Sequence, residues 1–417
     1  MRRGPQVEAE EARTIGARAR MIRRRRGLSQ EVVAGLAGIT AAYLSMLERG
    51  LRGFNRRGLI EDLAEALGCS VADLTGQPYL PPDRETARVK QVITQIEQGL
   101  TEATLDDVPD LRPRTLDSLN SWVNLTAELR DTARYQPSGE DIGAVLIELQ
   151  VHVATSIGRD RQLAAELLTQ AAYHAFVLAT TFGYLHLAQL AAQRAYDAAL
   201  IAEHPALEAF AMFARAPSVA RTGGRNRAVR MLDRALDDAQ RLTTIRDGDT
   251  LGAQTFGLLH LMGAHFAARN RDAATAADHL DEAARVAMLT GERNGLWQHF
   301  GPTNIAVWRV AIGAELGQGP SAAERVEREP IDLDILRSKD RIAALHFDLA
   351  RSWAQAEGDR DNQAIRHLDM ADRLAPQRLR NDPIARDLIV ILDRRAPRRV
   401  WELDSLRNRF GMVAPLS

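Results

Sequence analysis

Between Arg13 and Arg57 the chain carries eleven arginines and only two acids, Glu31 and Glu48. Short hydrogen-bonding side chains stand among them: Ser29, Gln30, Thr40, Tyr43 and Ser45. Guanidinium groups neutralise phosphates, and small polar side chains at helix starts reach phosphate oxygens or base edges. The chemistry on offer is contact with a polyanion, not bond making. Arg24, Arg25, Arg52, Arg56 and Arg57 are the candidate phosphate contacts, with Gln30 placed to hold a phosphate or brace a base contact. Ala41 and Ala42 could meet thymine methyls or simply allow close approach, and Ser45 could donate to a base edge. Glu48 and Arg49 read instead as structural, pairing within the fold and ending a helix.

Short helices must position these residues. Ile15, Ala19 and Ile22 share one face of a first helix that ends in four arginines and Gly27. Ser29 is a good N-cap for a second helix with Val33, Ala34, Leu36 and Ala37 turned inward, and Gly38 supplies a left-handed turn. Thr40 caps a third helix whose Tyr43, Leu44 and Leu47 can face the core. The pattern predicts a fourth helix over 57–67, stopped by Gly68, and a short fifth over 71–75.

The segments Leu28-Ser-Gln-Glu31, Ala37-Gly-Ile-Thr40, Tyr43-Leu-Ser45, Leu47-Glu-Arg-Gly50, Ala66-Leu-Gly68 and Val71-Ala-Asp-Leu74 together resemble the Cro/repressor-type helix-turn-helix family, also called the xenobiotic-response-element family. The resemblance covers residues 13–76. It implies that the helix from Thr40 to Arg49 is the recognition helix and that double-stranded DNA is the partner. The family usually has polar residues where this chain has Ala41 and Ala42, which implies thin direct base reading.

Composition bounds the rest. At 417 residues more than one module is expected, and 45% apolar residues without long β-branched runs read as a helical chain. Net charge is only -1, so the basic head stands on a mildly acidic body. Cys69 is the only cysteine, which excludes an intrachain disulfide and a cysteine metal cluster. His260 and His265 are five apart and share no helix face, so no metal is expected. No nucleophile motif, zinc-protease motif or phosphate loop is present, and neither an enzyme nor a cofactor is expected. The N-terminus lacks an apolar core and reads as no signal peptide. The uncharged stretch 167–193 breaks near Gly183 and reads as two buried helices, not a membrane span; a cytoplasmic location follows as the expectation.

Pro78, Pro81 and Pro82 mark a boundary, after which a helix is predicted over 83–101. Its Val89, Val92, Ile93 and Ile96 would suit a dimer contact. Beyond residue 115 helical patterns recur. Ala228, Leu232 and Ala235, then Ala276, Leu280 and Ala283, then Ala364, Leu368 and Ala371 each follow a turn rich in Gly, Asn, Asp and Arg. Weaker copies carry Ala188, Ala192 and Ala195, and Ala322 with Val326. Intervals of this length describe stacked two-helix hairpins, and the region resembles a divergent tetratricopeptide-like array. The organisation expected is all-α: a flexible 1–12, a five-helix head at 13–76, a linker and connecting helix at 77–114, and an α-solenoid at 115–417.

The candidate ligand patch in the solenoid is Trp297, His299, Phe300, Asn304 and Trp308, aromatic rings bracketing polar groups. A head of this kind on such an array is similar to the peptide-pheromone-responsive regulators. That resemblance implies a homodimeric transcription regulator whose solenoid senses a peptide or small molecule. The alternative is an adaptor whose solenoid binds a partner protein while the head tethers it to DNA.

Overall fold

The structure, a computed structural model, describes residues 14–79, 84–244, 248–396 and 400–412. The segment 1–12, Pro81 and Pro82 lie outside these ranges.

The head consists of α1 (Ile15–Arg25), α2 (Gln30–Leu36), α3 (Ala41–Glu48), α4 (Arg57–Leu67) and α5 (Val71–Thr75). Hydroxyl caps set their starts. Ser29 Oγ accepts from the Val32 amide, and Thr40 Oγ1 from the Tyr43 amide, so each satisfies a donor that the first helical turn leaves orphaned. Ser70 and Asp73 form a reciprocal capping box at α5. Between α2 and α3 the chain bends through 106° at Gly38, which sits in the left-handed region. Val33, Ala34, Leu44 and Leu47 are buried with Ile15, Leu59, Leu63 and Leu67. Leu36, expected inward, is 68% exposed, because it falls off the stripe that Val33, Ala34 and Ala37 present to the core.

The body is helical hairpins throughout. After α6 (Arg84–Thr101) come α7 (Leu116–Asp131), α8 (Tyr135–Ser138), α9 (Ile142–Thr155), α10 (Gly158–Thr181), α11 (Leu185–Ala202), α12 (Pro205–Arg221), α13 (Arg225–Ala239), α14 (Leu251–Arg269) and α15 (Ala273–Thr290). They continue through α16 (Pro302–Glu315), α17 (Gly319–Arg328), α18 (Leu333–Leu336), α19 (Lys339–Ala354), α20 (Asp361–Leu374), α21 (Pro376–Arg380), α22 (Pro383–Arg395) and α23 (Trp401–Arg409). The alanines of the recurring triplets are buried at the hairpin contacts, as small residues must be where helices approach closely, except Ala235, which is half-buried. In α17 the fully buried one is Ala323, one position after the residue the pattern pointed to. The uncharged stretch 167–193 is split by the turn at Gly183 between α10 and α11. Among the described residues no single helix is long and apolar enough to cross a membrane.

The dimer face expected on α6 is occupied by the chain itself. Val92, Ile93, Ile96 and Leu100 are buried against α9 and its neighbours, so this helix is part of the body. The array also curls until distant hairpins meet. Asp131, at the end of α7, accepts from Ser338 Oγ at 3.0 Å, and Tyr135 hydrogen-bonds Asp340. That closure encloses a cavity on the inner face.

Candidate nucleic-acid interface and the cavity behind it

α3 presents the N-terminal part of its surface to solvent. Thr40 and Ala42 are exposed, Ala41, Tyr43, Ser45 and Met46 are half-buried, and Leu44 and Leu47 anchor the opposite face. Ser29, Arg24 and Arg25 are exposed beside it. The other two arginines of that block are engaged: Arg23 Nη2 lies 2.8 Å from Glu48 Oε2, and Arg26 donates to the Gly68 carbonyl. The Glu48 carboxylate raises the Arg23 pKa through the bond between them. Gln30 Nε2 also donates to Glu48 at 2.8 Å, so Gln30 braces the recognition helix from within the head.

The three arginines beyond α3 are placed differently from Arg24 and Arg25. Arg57 Nη2 stands 2.6 Å from Asp382 Oδ2, and its amide donates to Glu315 Oε2 at 2.8 Å. Arg52 pairs with Glu357. Both side chains are turned onto the body, while Arg56 remains half-exposed. Body arginines in turn grip both ends of α3: Arg271 donates to the Gly38 carbonyl at 2.6 Å, and Arg394 to the Gly50 carbonyl at 2.8 Å. Residues more than 230 positions away thus border the candidate DNA surface, and no local signal in the sequence points to them.

The head sits on the body through buried charge. Glu61 of α4 meets Arg269 of α14 at 2.7 Å, both largely out of water. Asp62 meets Arg225 at 2.6 Å. Arg351 bonds the Asn55 carbonyl, Asp348 and Glu315 together. Burial alone would raise the Glu315 carboxyl, but Arg351, Arg269 and Arg57 outweigh it and hold it below its ordinary value. Asp387 takes the Phe54 amide at 2.8 Å with no cation in direct contact, and burial lifts its carboxyl to about 6. Gly58 permits the close approach: a Cβ there would lie 2.8 Å from the Arg269 carbonyl oxygen.

The cavity, about 370 Å3, lies between this junction and the inner face of the body. Head residues Arg57, Ile60, Glu61, Val71, Thr75 and Gln77 line it together with helices from across the array. Of the five candidate ligand residues, Trp297, Asn304 and Trp308 line it. The other two are placed elsewhere. Phe300 is wholly buried against α14, in space that exists because residue 257 is glycine. His299 Nε2 bonds Asp131 Oδ2 at 2.7 Å.

The loop that carries them is strained, with left-handed backbone at Leu296, Trp297 and His299. Side chains on all sides fix it. Arg130 donates to the Trp297 carbonyl, Tyr173 to Gln298 Oε1, and Asn294 Oδ1 accepts the His299 amide. That backbone turns His299 and Phe300 away from the cavity. Trp308 stands edge-on to His265 at 6.0 Å and to Phe213 at 6.4 Å, with the Arg341 guanidinium 5.7 Å from its ring centre. His265 is half-buried and held well below its ordinary value, first by desolvation and then by neighbouring arginines, so its ring is neutral.

Three solved structures are similar to the chain at low identity. Bacillus thuringiensis PlcR in complex with the peptide PapR7 and DNA matches at 13% identity over 66% of this chain and 95% of that one, with a TM-score of 0.29. The apo form of ComR from S. thermophilus matches at 12% over 88% and 97%, with a TM-score of 0.28. ComR from S. thermophilus with DNA and its signalling peptide ComS matches at 15% over 72% and 100%, with a TM-score of 0.24. No curated protein matches the chain. Residues 14–75, the five-helix head described above, match the family described as the helix-turn-helix domain.

Proposed function

We propose that the chain is a sequence-specific transcription regulator of the Cro/repressor type, whose tetratricopeptide-like body senses a peptide or small-molecule signal. The observation that carries this reading is the shared cavity: Arg57, Glu61 and Gln77 of the head region line the same space as Trp308, Asn304 and Arg341 of the body. A molecule held there touches the elements that fix the head. Affinity for DNA comes from Arg24, Arg25 and Arg56, since Arg52 and Arg57 are turned onto the body, and base contacts from Thr40, Ala41, Ala42, Tyr43 and Ser45, with Ser29 and Gln30 at the neighbouring helix start. Two heads in a homodimer would lie about 34 Å apart to read successive major grooves. Occupancy of the cavity changes how firmly Arg57 and Glu61 are held, and so the geometry of the heads.

The test is a binding titration of the full chain against its own promoter and against random duplex at several salt concentrations, with and without cell extract. A promoter preference that the extract alters supports the regulator. Equal affinities with equal steep salt slopes would sink it and favour the adaptor reading.

A further inference from the structure

The charges around the cavity do not balance. Glu61 is paired with Arg269, Asp382 with Arg57, Asp348 with Arg351 and Asp340 with Arg378. Asp131 is taken up by His299 and Ser338. Three lining arginines are left without a carboxylate. Arg221, at the end of α12, makes no side-chain hydrogen bond or ion pair among the described residues. Arg341 donates from Nε and Nη2 to the neutral Oδ1 of Asn304, at 3.2 and 2.7 Å. Arg130 donates to the Trp297 carbonyl. Arg269 adds an orphan: its Nε is buried without a partner although the residue is only 5% exposed.

Arg221 is half-buried with no carboxylate beside it, and desolvation brings its pKa down to about 9. Even so lowered it stays protonated at neutral pH. The fold thus keeps an unpaired cationic group on the cavity wall. Unpaired cations gathered around one cavity mark a binding site for an anion. Aromatic rings of Trp308, Phe213, Phe176 and Phe347 line the cavity as well, among neutral polar side chains such as Gln77 and Asn381. Its volume of about 370 Å3 falls at the small end of small-molecule sites, roughly 300–1,000 Å3.

We infer that the cavity binds a small organic anion with an aromatic or cyclic apolar body, its charged oxygens taken by Arg221 and Arg341 and its body laid against Trp308. The site makes the effector reading specific and rests on it, naming an acid as the signal class.

The probe is 2-naphthoate, with the neutral isostere 2-naphthamide and the phosphate monoester 2-naphthyl phosphate beside it. Binding to the full chain is read by calorimetry and thermal shift without DNA, so it stands or falls separately from the promoter experiment. Naphthoate should raise Tm by at least about 2 °C when saturating, and naphthamide should not. Whichever of the two anions binds more tightly identifies the acidic group. Arg341→Gln and Arg221→Met should each weaken anion binding by about tenfold or more. Arg221→Met also separates this role from a structural one, because removing a half-buried cation that holds no partner should leave the Tm of the ligand-free protein unchanged or higher. Equal binding of naphthamide and naphthoate overturns the inference. So does a lowered Tm of ligand-free Arg221→Met with its naphthoate shift intact.

Discussion

Arg57 Nη2 lies 2.6 Å from Asp382 Oδ2, joining the first turn of α4 to the residue that caps α22, 325 positions away. The same carboxylate accepts the amides of Ile384 and Ala385 through its other oxygen. One acid therefore starts a body helix and holds the head.

Asp382→Asn separates those two jobs. Asparagine caps helices as well as aspartate, so α22 is retained while the charge that holds Arg57 is lost. The expected result is a head docked more weakly by about 1–3 kcal/mol, seen as faster hydrogen exchange at the amides of Phe54 and Arg57 with little change over α22. Uniformly faster exchange through the body would show that the pair stabilises the whole array instead.

Arg24→Ala and Arg25→Ala remove exposed cations whose side chains have no hydrogen-bond or ion-pair partner among the described residues. Each should weaken binding to all duplexes alike and lower the salt-dependence slope by about 1. Arg23→Ala should behave differently. It leaves the Glu48 carboxylate, which is 5% exposed, without its cation and with Gln30 as its remaining side-chain donor, so Tm falls together with DNA affinity.

Breaking the Glu61–Arg269 pair by Glu61→Ala leaves Arg269 charged and buried, with a loss of about 3–5 kcal/mol expected in thermal or denaturant unfolding. Glu61→Leu combined with Arg269→Met should recover most of it, since paired apolar replacements of similar volume are often neutral. A double variant as unstable as the single one would count against this account.

Stability should fall as the medium is acidified from pH 7 to pH 5. Burial holds His174 down to about 3 and His260 and His367 to about 4, so the unfolded chain takes up protons that the folded one refuses. Their contribution is complete above the ordinary imidazole value of 6.5 and is lost as pH falls below it. Asp387 works the other way. Its carboxyl is raised from 3.8 to about 6, so its contribution is complete below 3.8 and lost as pH rises through about 6. Asp387→Asn, which still accepts the Phe54 amide, should raise stability at pH 7 by on the order of 2–3 kcal/mol and steepen the loss on acidification. A Tm profile between pH 5 and pH 8 for both proteins checks the signs.

Two of those histidines belong to a device repeated along the array. His260 and His279 meet Nδ1 to Nδ1 at 2.9 Å across α14 and α15, and His346 and His367 do so at 3.0 Å across α19 and α20. His279 precedes Leu280 as His367 precedes Leu368, so the second member of each pair stands at the same place in its repeat.

The sequence by itself determined what depends on neighbours along the chain. Hydroxyl caps at Ser29 and Thr40, the left-handed glycines, and the apolar periods of Ile15, Val33 and Leu44 are satisfied within a few residues, so the head and its recognition helix are legible in the order of residues alone. The Ala-Leu-Ala spacing likewise announces stacked hairpins, because close helix contact demands small side chains at regular intervals. What only the tertiary structure decided was where charges separated by hundreds of residues come to rest. Arg52 and Arg57 belong to the same arginine-rich stretch as Arg24 and Arg25, yet they turn onto Glu357 and Asp382. His299 and Phe300 share a patch with Trp308, yet a left-handed loop aims them away from it. Ion pairing and cavity formation depend on distances that the curl of the array sets, and no short-range pattern encodes that curl.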